Sequence, residues 1–406
     1  MIGSNPERSQ PKGAATRRAI IFVPGFQRVE QLEGRDLLVD SVCHYSDGFI
    51  TNAKSSKIDS DGYNSVDIDT ESRETGTKRT LTIFEAYWSD LIPDRVQETP
   101  LTKFWRATKL LFYWFTGGLA RNVFRWPPRF PYQTSIAMIC IGIMLVLWYL
   151  SVAAMLAAAI ASGDTVVADW FTQLAKWVGI PDNWASQLDV ILNSAFVVFL
   201  IGLFGVGRLQ AIADISDFVK NYLRDEPGAA SGVGLRAKLR KRVLDLLDHV
   251  HSVDEPYDEV FVVAHSIGGI IALDALAEYG SRLEKISFHT WGSAMGALAS
   301  QEPLVEAEVL KVYDNKTRLK SWTDIVFRGD FMASRIPVPA GRDPIFAPTI
   351  YPQMPEGGFM RQQKLHMDYF RCEEAILPLL QEVKVHDMEA AAVQSGEVSG
   401  DKPLTA

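Results

Sequence analysis

Hydrophobic and polar positions divide the chain into two kinds of territory. Short apolar runs rich in β-branched residues occur before residue 90 and after residue 235, and long uncharged runs lie between them. Ala19–Val23 (AIIFV) is stopped by Pro24-Gly25 and predicts a buried strand followed by a tight turn. Leu81–Trp88 (LTIFEAYW) predicts a second strand. The stretch Val66–Asp69 is expected to pair with Thr80–Tyr87 as a hairpin around Glu74-Thr75-Gly76. Beyond the long runs, Leu235–His251 has helical spacing that puts Leu239, Val243, Leu246, Leu247 and Val250 on one face. Glu259–Ala264 (EVFVVA) predicts a strand, Ile267–Tyr279 a helix and Lys285–Trp291 (KISFHTW) another strand. Strands alternating with helices imply a parallel sheet.

The middle of the chain reads differently. Between 100 and 130 the only charges are Lys103, Arg106, Lys109, Arg121, Arg125 and Arg129, interleaved with Trp105, Phe112, Tyr113, Trp114, Phe115 and Trp126. Apolar bodies with basic tips suit a lipid headgroup layer; the plainer reading is a core helix with a basic outer face. Residues 130–163 carry no charge, and 190–207 form a second uncharged run. Helices at about 134–161 and 188–207 are long enough to cross a ~30 Å hydrocarbon layer. The connection, 164–189, holds Asp164, Asp169, Asp182 and Asp189 against Lys176 alone, while basic residues flank both runs on the other side. Basic residues stay in the cytoplasm, so the expectation is a helical hairpin with a short acidic loop outside, where Trp170, Trp177 and Trp184 meet the outer interface.

Composition narrows the function. The formal net charge is −8, so there is no general basic field for nucleic acid. The three cysteines, Cys43, Cys140 and Cys372, are too few and too scattered for a disulfide framework or a CxxC site. There is no phosphate-cradling glycine loop and no HExxH spacing, so neither cofactor nor metal is expected.

The local signal for chemistry lies at Val262-Val263-Ala264-His265-Ser266-Ile267-Gly268-Gly269. An apolar strand ends, a serine sits in the turn, and two glycines open a helical pattern. This is the strand–turn–helix context of a nucleophile elbow, which holds Ser266 in a strained backbone geometry above the sheet edge. Small residues are needed two positions either side, and here the leading one is Ala264 rather than Gly.

At these residues the chain resembles the α/β-hydrolase superfamily, particularly its lipase and esterase branches. The resemblance covers roughly 17–90 and 236–386. Phe22-Val23-Pro24-Gly25-Phe26 matches the family's strand-end glycine motif, and Thr290-Trp291-Gly292-Ser293 its strand after the nucleophile helix. The resemblance implies oxyanion amides at Phe26 and Ile267 and the chain order serine, acid, histidine. Of His289, His366 and His386, it selects His366, just before a helical stretch at the end of the domain; His289 reads as structural. For the acid it selects Asp324, in Ser321-Trp322-Thr323-Asp324-Ile325-Val326, over Asp314, Asp330 and Asp343.

The expected organisation is a leader at 1–16, hydrolase segments at 17–99 and 226–386, a membrane insertion at 100–225 and a polar tail at 387–406. The mostly parallel sheet flanked by helices would thus be interrupted by a two-helix transmembrane insertion. The expected activity is that of a membrane-anchored serine hydrolase with its catalytic domain on the cytoplasmic side, acting on a lipophilic acyl substrate. A catalytically silent membrane scaffold on the same fold is the alternative.

Overall fold

The computed structural model of the chain describes residues 16–27, 30–95, 98–125, 132–161, 206–225, 232–280, 283–314, 319–342, 347–353 and 364–381. They fall into two compact units: 1–90, 238–296 and 304–406 make the first, and 91–237 with 297–303 the second.

The first unit is built on a nine-stranded mixed sheet. In chain order its strands are β1 (Thr16–Val23), β2 (Phe49–Ala53), β3 (Lys57–Ile58), β4 (Asn64–Ser72), β5 (Lys78–Glu85), β6 (Glu259–His265), β7 (Ile286–Trp291), β8 (Ser321–Ile325) and β9 (Thr349–Ile350). They lie in the order β2-β4-β5-β1-β6-β7-β8-β9, with β3 paired to β4. From β5 to β9 neighbours are parallel, while β4 pairs antiparallel with both β2 and β5. The hairpin expected around Glu74-Thr75-Gly76 is present, with Val66 opposite Ile83.

The central strands are buried on both faces, as parallel strands are; every residue of β7 is buried, its polar Ser287, His289 and Thr290 included. Helices cover the sheet: α1 (Glu33–His44), α6 (Leu235–Ser252), α7 (Gly268–Tyr279), α9 (Pro303–Asp314) and α10 (Glu373–Leu380). Helix α6 buries Leu239, Val243, Leu246, Leu247 and Val250, the face its periodicity predicts. The sequence pattern gave no element at 33–44. That helix is half polar and fully buries only Leu38 and Val42 of its apolar residues, so its periodicity is faint.

The two sequence-distant halves of this unit are joined by buried arginines. Arg18, in β1, bonds the Glu259 carboxylate and the main-chain oxygens of Leu379 and Gln381, and stacks on Phe261 at 4.4 Å. Arg79 donates to the Leu380 carbonyl at 2.8 Å. The last carbonyls of α10 are thereby satisfied by cations, as a helix C-terminus favours.

The second unit is helical: α2 (Pro100–Thr116), α3 (Gly118–Val123), α4 (Tyr132–Ala161) and α5 (Val206–Arg224), with most of α8 (Met295–Gln301). Thr99 caps α2 by accepting from the Thr102 amide at 3.3 Å, and Pro100 sits at its first turn. Among the described residues one helical stretch is long and apolar enough to cross a membrane, Thr134–Met155 within α4. Of the second expected span, 188–207, only Val206 and Gly207 are described, and they open α5. The acidic connection 164–189, the leader up to residue 15 and the tail 387–406 lie outside the described residues.

The expectation of a basic headgroup collar fails at Arg106. Its guanidinium is buried, pairs with Glu98 and Asp214 at 2.8 and 2.9 Å, and lies 4.9 Å above the Trp148 ring. Carboxylates contributed by residues outside 100–130 turn this arginine into the bundle. Phe112 and Phe124, by contrast, are more than two-thirds exposed.

Candidate active site

Strands β1, β6, β7 and β8 end level with one another, and the residues beyond their carboxyl ends meet there. Ser266 leaves β6 with φ 56°, a left-handed conformation unusual for a residue with a side chain. Its amide still donates to Trp291 O at 2.9 Å, as though the ladder continued, while Ile267 turns directly into α7. This sharp reversal requires close approach. A Cβ on Gly268 would stand 2.4 Å from the Val23 carbonyl oxygen and 2.6 Å from that of Pro24. One on Gly25 would lie 3.0 Å from Ser266 Cβ, so the turn after β1 packs directly against the serine.

That turn is braced from β5. Trp88, buried, donates its indole N–H to Pro24 O at 3.1 Å, and Ser89 Oγ donates to Gln27 O at 2.8 Å. The strand expected to run through Trp88 stops at Glu85 because Trp88 turns inward to make this bond. Phe26 lies in the braced turn, its ring 6.4 Å from that of Trp88.

His366 stands in a 3-10 turn, Leu365–Arg371, that leads into α10. Its Nε2 is 2.8 Å from Ser266 Oγ, across 100 positions of sequence. Its Nδ1 is 2.8 Å from a carboxylate, and that carboxylate belongs to Asp330. The assignment of the acid to Asp324 is therefore corrected. Asp324 lies inside β8, fully buried, where it accepts from Thr290 Oγ1 at 2.6 Å and from the Ile336 amide and Thr349 Oγ1 at 3.3 Å. It knits β7, β8 and β9 together and has no bond to His366. Asp330 instead follows β8 in the turn Phe327–Met332, where a side chain can reach back over the sheet edge.

The two aspartates have opposite electrostatics. Burial works against the charge of Asp330. The hydrogen bond and charge of His366, the Tyr369 hydroxyl at 2.8 Å and the Met332 amide at 2.9 Å outweigh it and hold the carboxyl below its ordinary range. Burial of Asp324 wins over its three donors and pushes the carboxyl up to about 7. A carboxylate that stays charged beside an imidazole holds that ring in one tautomer, Nδ1–H, leaving Nε2 to accept a proton from the serine. Tyr369 is a partner the sequence reading missed. Its hydroxyl accepts from the Phe327 amide at 3.1 Å while donating to Asp330, which fixes the turn carrying that carboxylate.

His289 is buried in β7, stacked on Phe261 at 5.3 Å and driven by burial down to about 3, which fits its structural reading. Asp314 pairs with Arg342, and Asp343 and His386 lie outside the described residues. Among the described residues no group of three His, Cys, Asp or Glu side chains could hold a metal ion.

The arrangement can deprotonate a serine hydroxyl in step with its attack on an electrophile. Set against family models, curated proteins and solved structures, the chain matches none of them.

Proposed function

We propose that the chain is a serine hydrolase with an α/β-hydrolase catalytic unit, cleaving an ester or other acyl bond. The observation that carries this reading is the continuous contact from Ser266 Oγ through the His366 ring to Asp330, two links of 2.8 Å, with the serine at φ 56°. Ser266 attacks the acyl carbonyl while His366 Nε2 takes its proton. Asp330 orients the ring and stabilises the imidazolium that forms. His366 then returns the proton to the leaving group, and water, activated by the same imidazole, releases the acyl chain.

The amide of Ile267, at the start of α7, and that of Phe26, in the braced turn, would receive the oxyanion. A fluorophosphonate should therefore label the wild-type chain, with the adduct found by mass spectrometry on the peptide containing Ser266. An adduct elsewhere, or none, sinks the reading.

The substrate we infer is lipophilic, because α4 would anchor the chain in a bilayer. Ile136, Ile139, Ile143 and Val146 leave an apolar stripe exposed along it. The two-span topology that we infer from the charge pattern, with both ends of the insertion in the cytosol, would put residue 176 outside. A cysteine placed at Lys176, with Cys140→Ser, should react with a membrane-impermeant maleimide on intact cells. Reaction only after permeabilisation would refute this topology.

A further inference from the structure

We infer that His265, the residue before the nucleophile, is the positioning residue that sets the distance between Ser266 and its base; this rests on the reading of Ser266 and His366 as a catalytic pair. His265 Nε2 lies 2.6 Å from the main-chain oxygen of His366. A carbonyl only accepts, so Nε2 carries the proton and donates. The ring is buried, and burial, then the neighbouring His366, pushes it down to about 3, so it is neutral wherever the site works.

Its surroundings leave it one place to be. The His366 ring is 4.9 Å away, the Phe370 ring 5.4 Å and the Tyr369 ring 6.0 Å. On the other side Nδ1 stands 3.0 Å from the point a Cβ on Gly25 would occupy. His265 is thus wedged between the turn after β1 and the turn that carries the base.

The two attachments of His366 do different things. Asp330 fixes how the imidazole is rotated and which nitrogen holds the proton. His265 fixes where the backbone of residue 366 lies. Because His265 and Ser266 are consecutive, the hydroxyl and the base are mounted on the same strand end, one by a peptide bond and one by a hydrogen bond. The 2.8 Å contact between Nε2 and Oγ inherits its length from this pairing.

Three variants test the role, using the kinetics of fluorophosphonate labelling well below each variant's melting temperature. The amide nitrogen of glutamine reaches the position of an imidazole Nε2, whereas that of asparagine stops short, near Nδ1. His265→Gln should label within about threefold of the wild-type maximal rate, whereas His265→Asn and His265→Leu should fall about 10- to 100-fold. The half-saturating probe concentration should not change, because only the reacting geometry is disturbed. Equal rates for the asparagine and glutamine variants, a glutamine variant as slow as leucine, or a loss confined to half-saturation would overturn the role of His265 while leaving Ser266 as nucleophile. A wild-type chain that does not label overturns both.

Discussion

Asp330→Asn is expected to lower the rate of serine phosphonylation about 10⁴-fold without unfolding the protein. The carboxylate accepts three hydrogen bonds, from His366 Nδ1, Tyr369 Oη and the Met332 amide. An asparagine keeps the volume, and its oxygen can still accept from Met332. Its NH2 group then faces the imidazole and must donate to Nδ1. The proton moves to Nε2, which points at Ser266 Oγ and can no longer take a proton from it. The chemistry fails through the wrong tautomer rather than through lost structure.

Asp324→Asn is the control, and it should label at nearly the wild-type rate. Its effect belongs to stability. With the native carboxyl raised from 3.8 to about 7, the unfolded chain gives up its proton at lower pH than the folded one does. Wild-type stability therefore loses ground as pH rises from about 4 to 7, and a non-titrating asparagine does not share that loss. The melting temperature of the asparagine variant relative to wild type should climb across that window. Equal loss of labelling in both variants would mean that the turn after β8 does not place Asp330 as described.

The second large effect is expected at Gly268. Both atoms nearest to an added Cβ are main-chain oxygens, of Val23 and Pro24, at 2.4 and 2.6 Å. Neither can rotate away: Val23 ends β1 paired with Ala264 of β6, and the Pro24 oxygen is held by the Trp88 indole N–H. Gly268→Ala must push α7 away from β1, at a cost of about 3 kcal/mol by analogy with overpacked cores. For a unit of this size that is a fall in melting temperature of roughly 6–12 °C. The same displacement moves the Ile267 amide and the braced turn relative to Ser266. Loss of one oxyanion donor costs about 10²–10³ in rate, so labelling should fall by that much even where the variant is folded. An alanine variant with wild-type melting and labelling would show that the close crossing is not required.

Much of this site is legible without coordinates, for identifiable reasons. Ser266 announces itself because an elbow is a local object, in which strand, serine and glycines are all contiguous. His366 follows from chain order and from the helical stretch behind it. The acid does not. Asp324 sits at a strand end ahead of an apolar pair, which is the local pattern sought, yet its place in β8 commits its side chain to Thr290 and Thr349. Asp330 carries only a weak local sign, a turn after the strand containing Gly329. Arg106 is a similar case. Within 100–130 it looks like one of a row of exposed cations, and only Glu98 and Asp214, brought in by folding, show that it points inward.

By itself the sequence determined the alternation of strands and helices, the parallel centre of the sheet, the strained turn at Ser266 and the apolar helix α4, because each depends on periodicity or on residues within a few positions of one another. Tertiary structure alone decided which carboxylate holds His366, what Tyr369 and His265 hold in place, and which arginine is buried. These depend on contacts between side chains tens to hundreds of positions apart, and a loop's reach across a sheet edge leaves no period in the chain.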